Sequence, residues 1–164
     1  MSGYARLWNV AFPNDGSQGD KAYYDEENRR PPIVLFANMA AIPEASHRPV
    51  NGVLVPVEDD ELSRLRKREL RYHLVDITEH FEPYAEAREQ LKLRRYRASG
   101  FVGREVFTQE EDVKRGVIPR SYMDTVLRGV SFWEERARGF EGDYHASTII
   151  PPETEITPLR RVDL

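Results

Sequence analysis

A chain of 164 residues fits one domain, spanning 1–164, long enough to bury a core without covalent staples. It contains no cysteine, which excludes disulfides, thiolate metal ligands and a cysteine nucleophile, and is consistent with a reducing cytoplasm. The formal net charge is −4, with Lys and Arg interleaved among Asp and Glu, so a phosphate backbone would find no basic stripe and nucleic acid is not an expected partner. No stretch approaches the roughly 20 apolar residues of a membrane span, and MSGYARLWNV lacks the basic-then-apolar layout of a signal peptide. The expectation is a soluble, cytoplasmic protein.

In chain order, Tyr4 to Phe12 is aromatic, apolar and β-compatible and ends at the turn-rich FPNDGSQGD, which predicts a strand and a loop. IVLFANM, Ile33 to Met39, is a short apolar run between prolines and predicts a second strand. VNGVLVPV, Val50 to Val57, predicts a third, with Pro56 marking its end or an edge. Three strands before any helix exclude an all-helical fold. The acidic cluster Glu58 to Glu61 and the basic cluster Arg64 to Arg68 lie at opposite ends of one segment, as the helix macrodipole prefers, so a helix is expected there. RYHLVDIT then reads as a fourth strand that leaves the helix almost without a loop.

From Phe81 to Gly100 the composition suggests a loop or helical turn and then a strand near Leu91 to Ala98, with ASGFVG read as an ordinary turn. Thr108 with Glu111 forms a capping box for a helix closing at Gly116, and Pro119 with Ser121 opens the longest helix. In that helix Tyr122, Met123, Val126, Leu127, Val130, Trp133, Ala137 and Phe140 recur at helical spacing and form a core-facing stripe. After Gly142 the chain reads as an irregular tail over the surface.

One carboxylate stands out within LSRLRKRELRYHLVDIT. At about 100° per residue, Glu69 falls within about 20° of Leu62 and on the same side as Leu65, while Arg64, Lys67 and Arg68 point to a solvated back surface. A carboxyl aimed inward has its charged form disfavoured and becomes a better proton acceptor near neutral pH, the chemistry of a general base. A structural role, pairing with Arg66 or Arg71 at the rim of the core, satisfies the same geometry.

The segment NGVLVPVEDDELSRLRKRELRYHLVDIT resembles the core of the γ-glutamylcyclotransferase-like family, in which a V-x-G-x-L/V-x-x-V strand leads into a helix ending L-D-x-x-E and a tyrosine-bearing strand. GYARLWNVAF resembles that family's second segment, and VIPRSYMDTVLRGV resembles the helical ending of a bacterial branch. The resemblance implies an α+β fold, a mixed β-barrel of about six strands with surrounding helices. It implies cleavage of γ-glutamyl amines by attack of the substrate's own α-amine on the γ-carbonyl, releasing 5-oxoproline. Glu69 falls on the family's catalytic glutamate, facing a cavity lined by the strands of Val53 and Tyr72. Tyr72 and Tyr96 fall near the substrate pocket, and the loop with Tyr23 and Tyr24 would cover it. Arg6 and Asn9 would meet a substrate carboxylate only if they point inward, and a surface placement is expected of them.

An intramolecular reaction needs neither metal nor cofactor, and His47, His73, His80 and His145 lack helical ligand spacing, so none is expected. Two departures from the family pattern stand in the sequence. Arg66 replaces the aspartate after the helix leucine, and no Y-G-S-x motif, whose backbone N–H groups would stabilise the oxyanion, is present. A barrel without that strand leaves an open edge, which leads to the expectation of a homodimer or of a strand supplied from elsewhere in the chain. A non-catalytic member that binds a small metabolite or serves as a partner subunit is the alternative reading.

Overall fold

Apolar, β-branched and aromatic residues at Tyr4–Pro13 (β1) and Ile33–Ala41 (β3) form a long antiparallel pair at the centre of a computed structural model that describes residues 3–17, 21–42, 49–88 and 97–163. The pairing runs from Tyr4 opposite Ala41 to Pro13 opposite Ile33, and its register shifts between Trp8 and Val10, where Asn9 is the extra residue of a bulge. Parallel neighbours extend the pair on both sides: Thr148–Ile149 (β7) beside β1, and Gly116–Pro119 (β6) then Glu155–Thr157 (β8) beside β3. The result is a curled five-stranded sheet, a half-barrel in the order β7-β1-β3-β6-β8. Two ribbons complete the β structure: Lys21–Tyr24 (β2) with Arg160–Asp163 (β9), and Tyr72–Asp76 (β4) with Ser99–Gly103 (β5).

The described residues contain four α-helices: Asp59–Arg68 (α1), Glu110–Lys114 (α2), Arg120–Glu134 (α3) and Phe140–Ser147 (α4). The stripe packs on the sheet as expected, but its helix is shorter than the spacing suggests: α3 ends at Glu134, Ala137 lies beyond it, and Phe140 opens α4 after the left-handed Gly139. Tyr122, Met123, Val126 and Leu127 cover Trp8, Ala11, Ile33, Leu35 and Ile118, while Val130 and Trp133 meet Phe140 and Tyr144 of α4. On a second cluster, Phe12 and Val34 pack with Tyr23 and Leu159. Buried Asn14 fastens β2 to the end of β1, donating to the Tyr23 and Pro31 carbonyls at 2.7 and 2.9 Å and accepting the Tyr23 N–H at 2.9 Å. No helix among the described residues is long and apolar enough to cross a membrane.

Several expectations are corrected. The fold is α+β, but the sheet is open and no closed barrel forms. Val50 to Val57 pairs with no strand among the described residues, and Val53, Leu54, Val55 and Val57 stay exposed. An apolar run becomes a strand only where a neighbour supplies the hydrogen bonds, and Pro56 has no N–H to offer one. ASGFVG is not a turn, because Ser99–Gly103 is β5. The strand expected near Leu91 falls mostly outside the described residues. Thr108 caps no helix: its hydroxyl donates to the Glu105 carbonyl at 3.3 Å, and Gln109 precedes α2. Residues after Gly142 continue α4 and then add β7, β8 and β9 to the sheets.

One buried amide joins the β4–β5 ribbon to the sheet. Asn38 is 4% exposed; its Nδ2 donates to Asn9 Oδ1 at 2.9 Å and its Oδ1 accepts the Gly103 N–H at 2.7 Å. The approach is so close that a Cβ on Gly103 would lie 2.7 Å from Val10 Cγ2 and 2.9 Å from Asn38 Nδ2. Asn38→Ala should therefore cost about 2–4 kcal/mol by orphaning a buried N–H and opening a cavity, and Gly103→Ala about 1–3 kcal/mol by overpacking. Urea unfolding checks both, and wild-type midpoints in either variant would contradict this account of the joint.

Candidate functional site

The charge order of α1 sets where Glu69 sits. Asp59, Asp60 and Glu61 occupy the first turn and Arg66, Lys67 and Arg68 the last, so the macrodipole favours a helix that stops at Glu69. Glu69 is its C-cap: its N–H donates to the Leu65 carbonyl and its own carbonyl accepts the Tyr72 N–H, which turns the chain directly into β4. The side chain is 26% exposed, and Oε1 accepts both Arg68 Nε at 2.8 Å and Nη2 at 2.7 Å. Oε2 accepts no hydrogen bond from the described residues. The carboxylate thus pairs with Arg68 and not with Arg66 or Arg71, and Arg68, expected on the back surface, folds its head across the rim. With the Arg68 side chain 71% exposed, this pair is worth at most about 1 kcal/mol.

Two tyrosine hydroxyls share the neighbourhood of Glu69. Tyr72, the first residue of β4, donates to the Ala37 carbonyl at 2.9 Å. Burial, then Tyr122 and the Glu69 charge, push its pKa up, with Arg71 opposing. Tyr122, in the first turn of α3, is raised by burial and next by Glu69. Both phenols therefore stay protonated and able to donate. The Tyr122 ring meets Phe36 edge-on at 5.1 Å and Trp8 at 5.5 Å, and Phe36 in turn meets Tyr23 and Phe12 at 6.0 and 6.3 Å. Over this aromatic wall stand two cations, Arg71 at 4.4 Å from the Phe12 ring and Lys21 at 5.3 Å. A carboxylate near two phenols at an apolar wall has the chemistry to hold a small polar molecule and move a proton.

Of the residues singled out from sequence, Glu69 and Tyr72 come together here, and Tyr96 lies outside the described residues. Val53 lines no strand beside them and is 43% exposed. Tyr23 is core, packed on Phe12, and with Tyr24 lies in β2 and not in a covering loop. Neither Asn9 nor Arg6 takes the surface placement expected of it: Asn9 bonds Asn38, and Arg6 bonds Thr148 and Asn51. Tyr122 was legible only as part of the core stripe on α3; its hydroxyl, at the head of a helix leaving a parallel strand, was the available signal. No group of three His, Asp or Glu side chains suited to a metal occurs among the described residues. A surface hollow of about 440 Å³ is lined by Asp76, Thr78, Glu79, His80 and Arg97, and one of about 220 Å³ runs along α1, lined by Glu61, Arg64, Leu65 and the Glu69 partner Arg68.

The chain matches no protein-family model, no curated protein and no solved structure. The site must be judged on its chemistry.

Removing the Tyr72 hydroxyl tests the geometry. Tyr72→Phe orphans the Ala37 carbonyl and should cost about 1–2 kcal/mol. Because the folded-state pKa of Tyr72 is raised above its ordinary value of 10.0, its contribution is complete below pH 10 and is lost as pH rises toward the higher folded value. Stability measured by urea unfolding should therefore fall above pH 10 in the wild type and fall less steeply in Tyr72→Phe. Identical pH profiles would contradict the buried phenol.

Proposed function

We propose that this protein is a γ-glutamylcyclotransferase-like enzyme with Glu69 as its base, releasing 5-oxoproline and a free amine from γ-glutamyl amines. The observation that supports this reading most is that Glu69 Oε2 accepts no hydrogen bond from the described residues while its charge is felt by two tyrosines, Tyr72 and Tyr122, whose pKa values are raised. A γ-glutamyl α-ammonium must lose a proton before its nitrogen can attack. Glu69 Oε2 takes that proton; the nitrogen bonds to the γ-carbonyl carbon; Glu69 returns the proton to the leaving nitrogen as the original C–N bond breaks; and the second proton that the new lactam nitrogen sheds leaves with the freed amine as its ammonium. The sequence holds no Y-G-S-x motif, so the oxyanion needs another donor. Tyr122 is the candidate: the Tyr72 hydroxyl spends its proton on the Ala37 carbonyl, whereas the Ala37 backbone lowers the Tyr122 pKa, as a donor to that hydroxyl does, and leaves its proton to give. The finer fold assignment, a relative of the mixed barrel with its sheet opened, belongs to the same proposal, as does a homodimer formed through the exposed apolar run at Val53 to Val57.

The expected result is 5-oxoproline from γ-glutamyl dipeptides without added metal or nucleotide. Glu69→Gln should abolish release while folding survives, and Tyr122→Phe should lower kcat about 10²- to 10³-fold. Undiminished activity in Glu69→Gln would overturn the assignment of the base. A wild type that binds γ-glutamyl dipeptides without releasing 5-oxoproline would support the second reading, a metabolite-binding member, which the missing Y-G-S-x motif favours.

A further inference from the structure

The inward face of β1 carries a second polar cluster, built around Arg6. Arg6 and Trp8 are two residues apart on one strand, so both side chains leave the same face. The Arg6 guanidinium donates from Nη1 to Thr148 Oγ1 at 3.1 Å and from Nη2 to the Asn51 carbonyl at 2.5 Å, with Asn51 Oδ1 at 3.4 Å. Its Cζ lies 4.5 Å from the centre of the Tyr144 ring. Every one of these partners is neutral, and no carboxylate pairs with Arg6 among the described residues. Burial is the largest influence on its pKa and lowers it, with Tyr144 and Tyr84 opposing.

The same cluster holds two orphaned donors. Trp8 is 0% exposed and its Nε1 has no hydrogen-bond partner; Tyr144 is 3% exposed and its hydroxyl has none either. Burial raises the Tyr144 pKa most, and the nearby Arg6, Thr148 and Trp8 side chains lower it, yet neither the Thr148 hydroxyl nor the indole N–H reaches good bonding geometry with the phenol. Arg6 is half-buried with only neutral partners, and each orphaned buried polar group costs about 1–3 kcal/mol, so the cluster as it stands is short of an acceptor. An anion supplies both missing items, a counter-charge and lone pairs.

We propose that Arg6, Trp8 and Tyr144 form a binding site for a small carboxylate. A monoanion fits better than a phosphate dianion, for a single cation is present and the Asp143 carboxylate, bonded to the Tyr84 hydroxyl at 2.7 Å, lies in the next position along α4. The planar guanidinium, held 4.5 Å from the centre of the Tyr144 ring, suits the planar carboxylate. This site rests on these contacts alone and not on a reaction at Glu69.

The indole N–H of Trp8 is a direct reporter. In 15N-labelled protein titrated at constant ionic strength, acetate should shift the Trp8 indole resonance saturably and leave that of Trp133 in place, each peak being assigned by Trp8→Phe and Trp133→Phe. Acetamide, which has the shape without the charge, should do nothing. Arg6→Gln should weaken acetate binding about 10- to 100-fold. Tyr144→Phe keeps the ring under the guanidinium and removes only an unbonded hydroxyl, so it should stay folded and still bind acetate more weakly than the wild type. The proposal fails if acetate gives no saturable shift, if chloride or acetamide gives the same one, if inorganic phosphate binds more tightly than acetate, or if folded Tyr144→Phe retains full affinity.

Discussion

The buried Asn38 side chain is the constraint on which the geometry around Glu69 depends. Its oxygen must face the Gly103 N–H, since a backbone donor can meet only an acceptor, and its amide group then has one partner left, Asn9 Oδ1. Asn9 can offer that oxygen because the bulge in β1 displaces it from the regular ladder. Through two hydrogen bonds the β1–β3 pair fixes β5, β5 fixes β4 through five paired positions, and β4 begins at Tyr72, three residues after Glu69. A carboxylate at the end of α1, a helix with no buried residue of its own, is thereby held in place by packing it does not itself make.

The same logic explains why the sheet stays open. β3 is covered by β6 only at Ile33 and Val34, so farther along its backbone needs other partners. At Ala37 the Tyr72 hydroxyl takes the carbonyl. The Val50 to Val57 run does not fill the remaining edge; it is anchored at its start by Asn51, which accepts from Arg6 and donates to the Phe140 carbonyl at 2.8 Å. Side-chain hydrogen bonds stand here where a closed barrel would have a ladder, and they leave polar groups near Glu69 that a ladder would have consumed.

Much of this was legible in the sequence where one period dominates. β1, β3, β4, α1 and α3 lie close to the positions that alternation, charge order and helical spacing predict, because each of these elements buries a continuous face or follows a strong dipole preference. Other elements escaped because their signals are not local. Gly103 looks like a turn residue but is a glycine for want of space against Val10 and Asn38. The run GVLVPV reads as a strand but lacks a neighbour. The C-terminal strands β8 and β9 are short and polar, and only their partners β6 and β2 make them strands. At the site, helical geometry puts Glu69 on the side of Leu62 and Leu65, and its charge is felt by Tyr72 and Tyr122, whereas nothing in the spacing foretold the turn of Arg68 back onto its neighbour.

The central claim is that Glu69 Oε2, Tyr72 and Tyr122 together face one small-molecule cleft. A crystal structure of the protein with 5-oxoproline tests it most directly. The account predicts the lactam against the aromatic wall of Phe36 and Tyr122, its nitrogen within hydrogen-bond reach of Glu69 Oε2. A lactam bound instead in the hollow of Asp76, Thr78 and Arg97, or a Glu69 carboxylate turned to bulk solvent with the wall unoccupied, would contradict it.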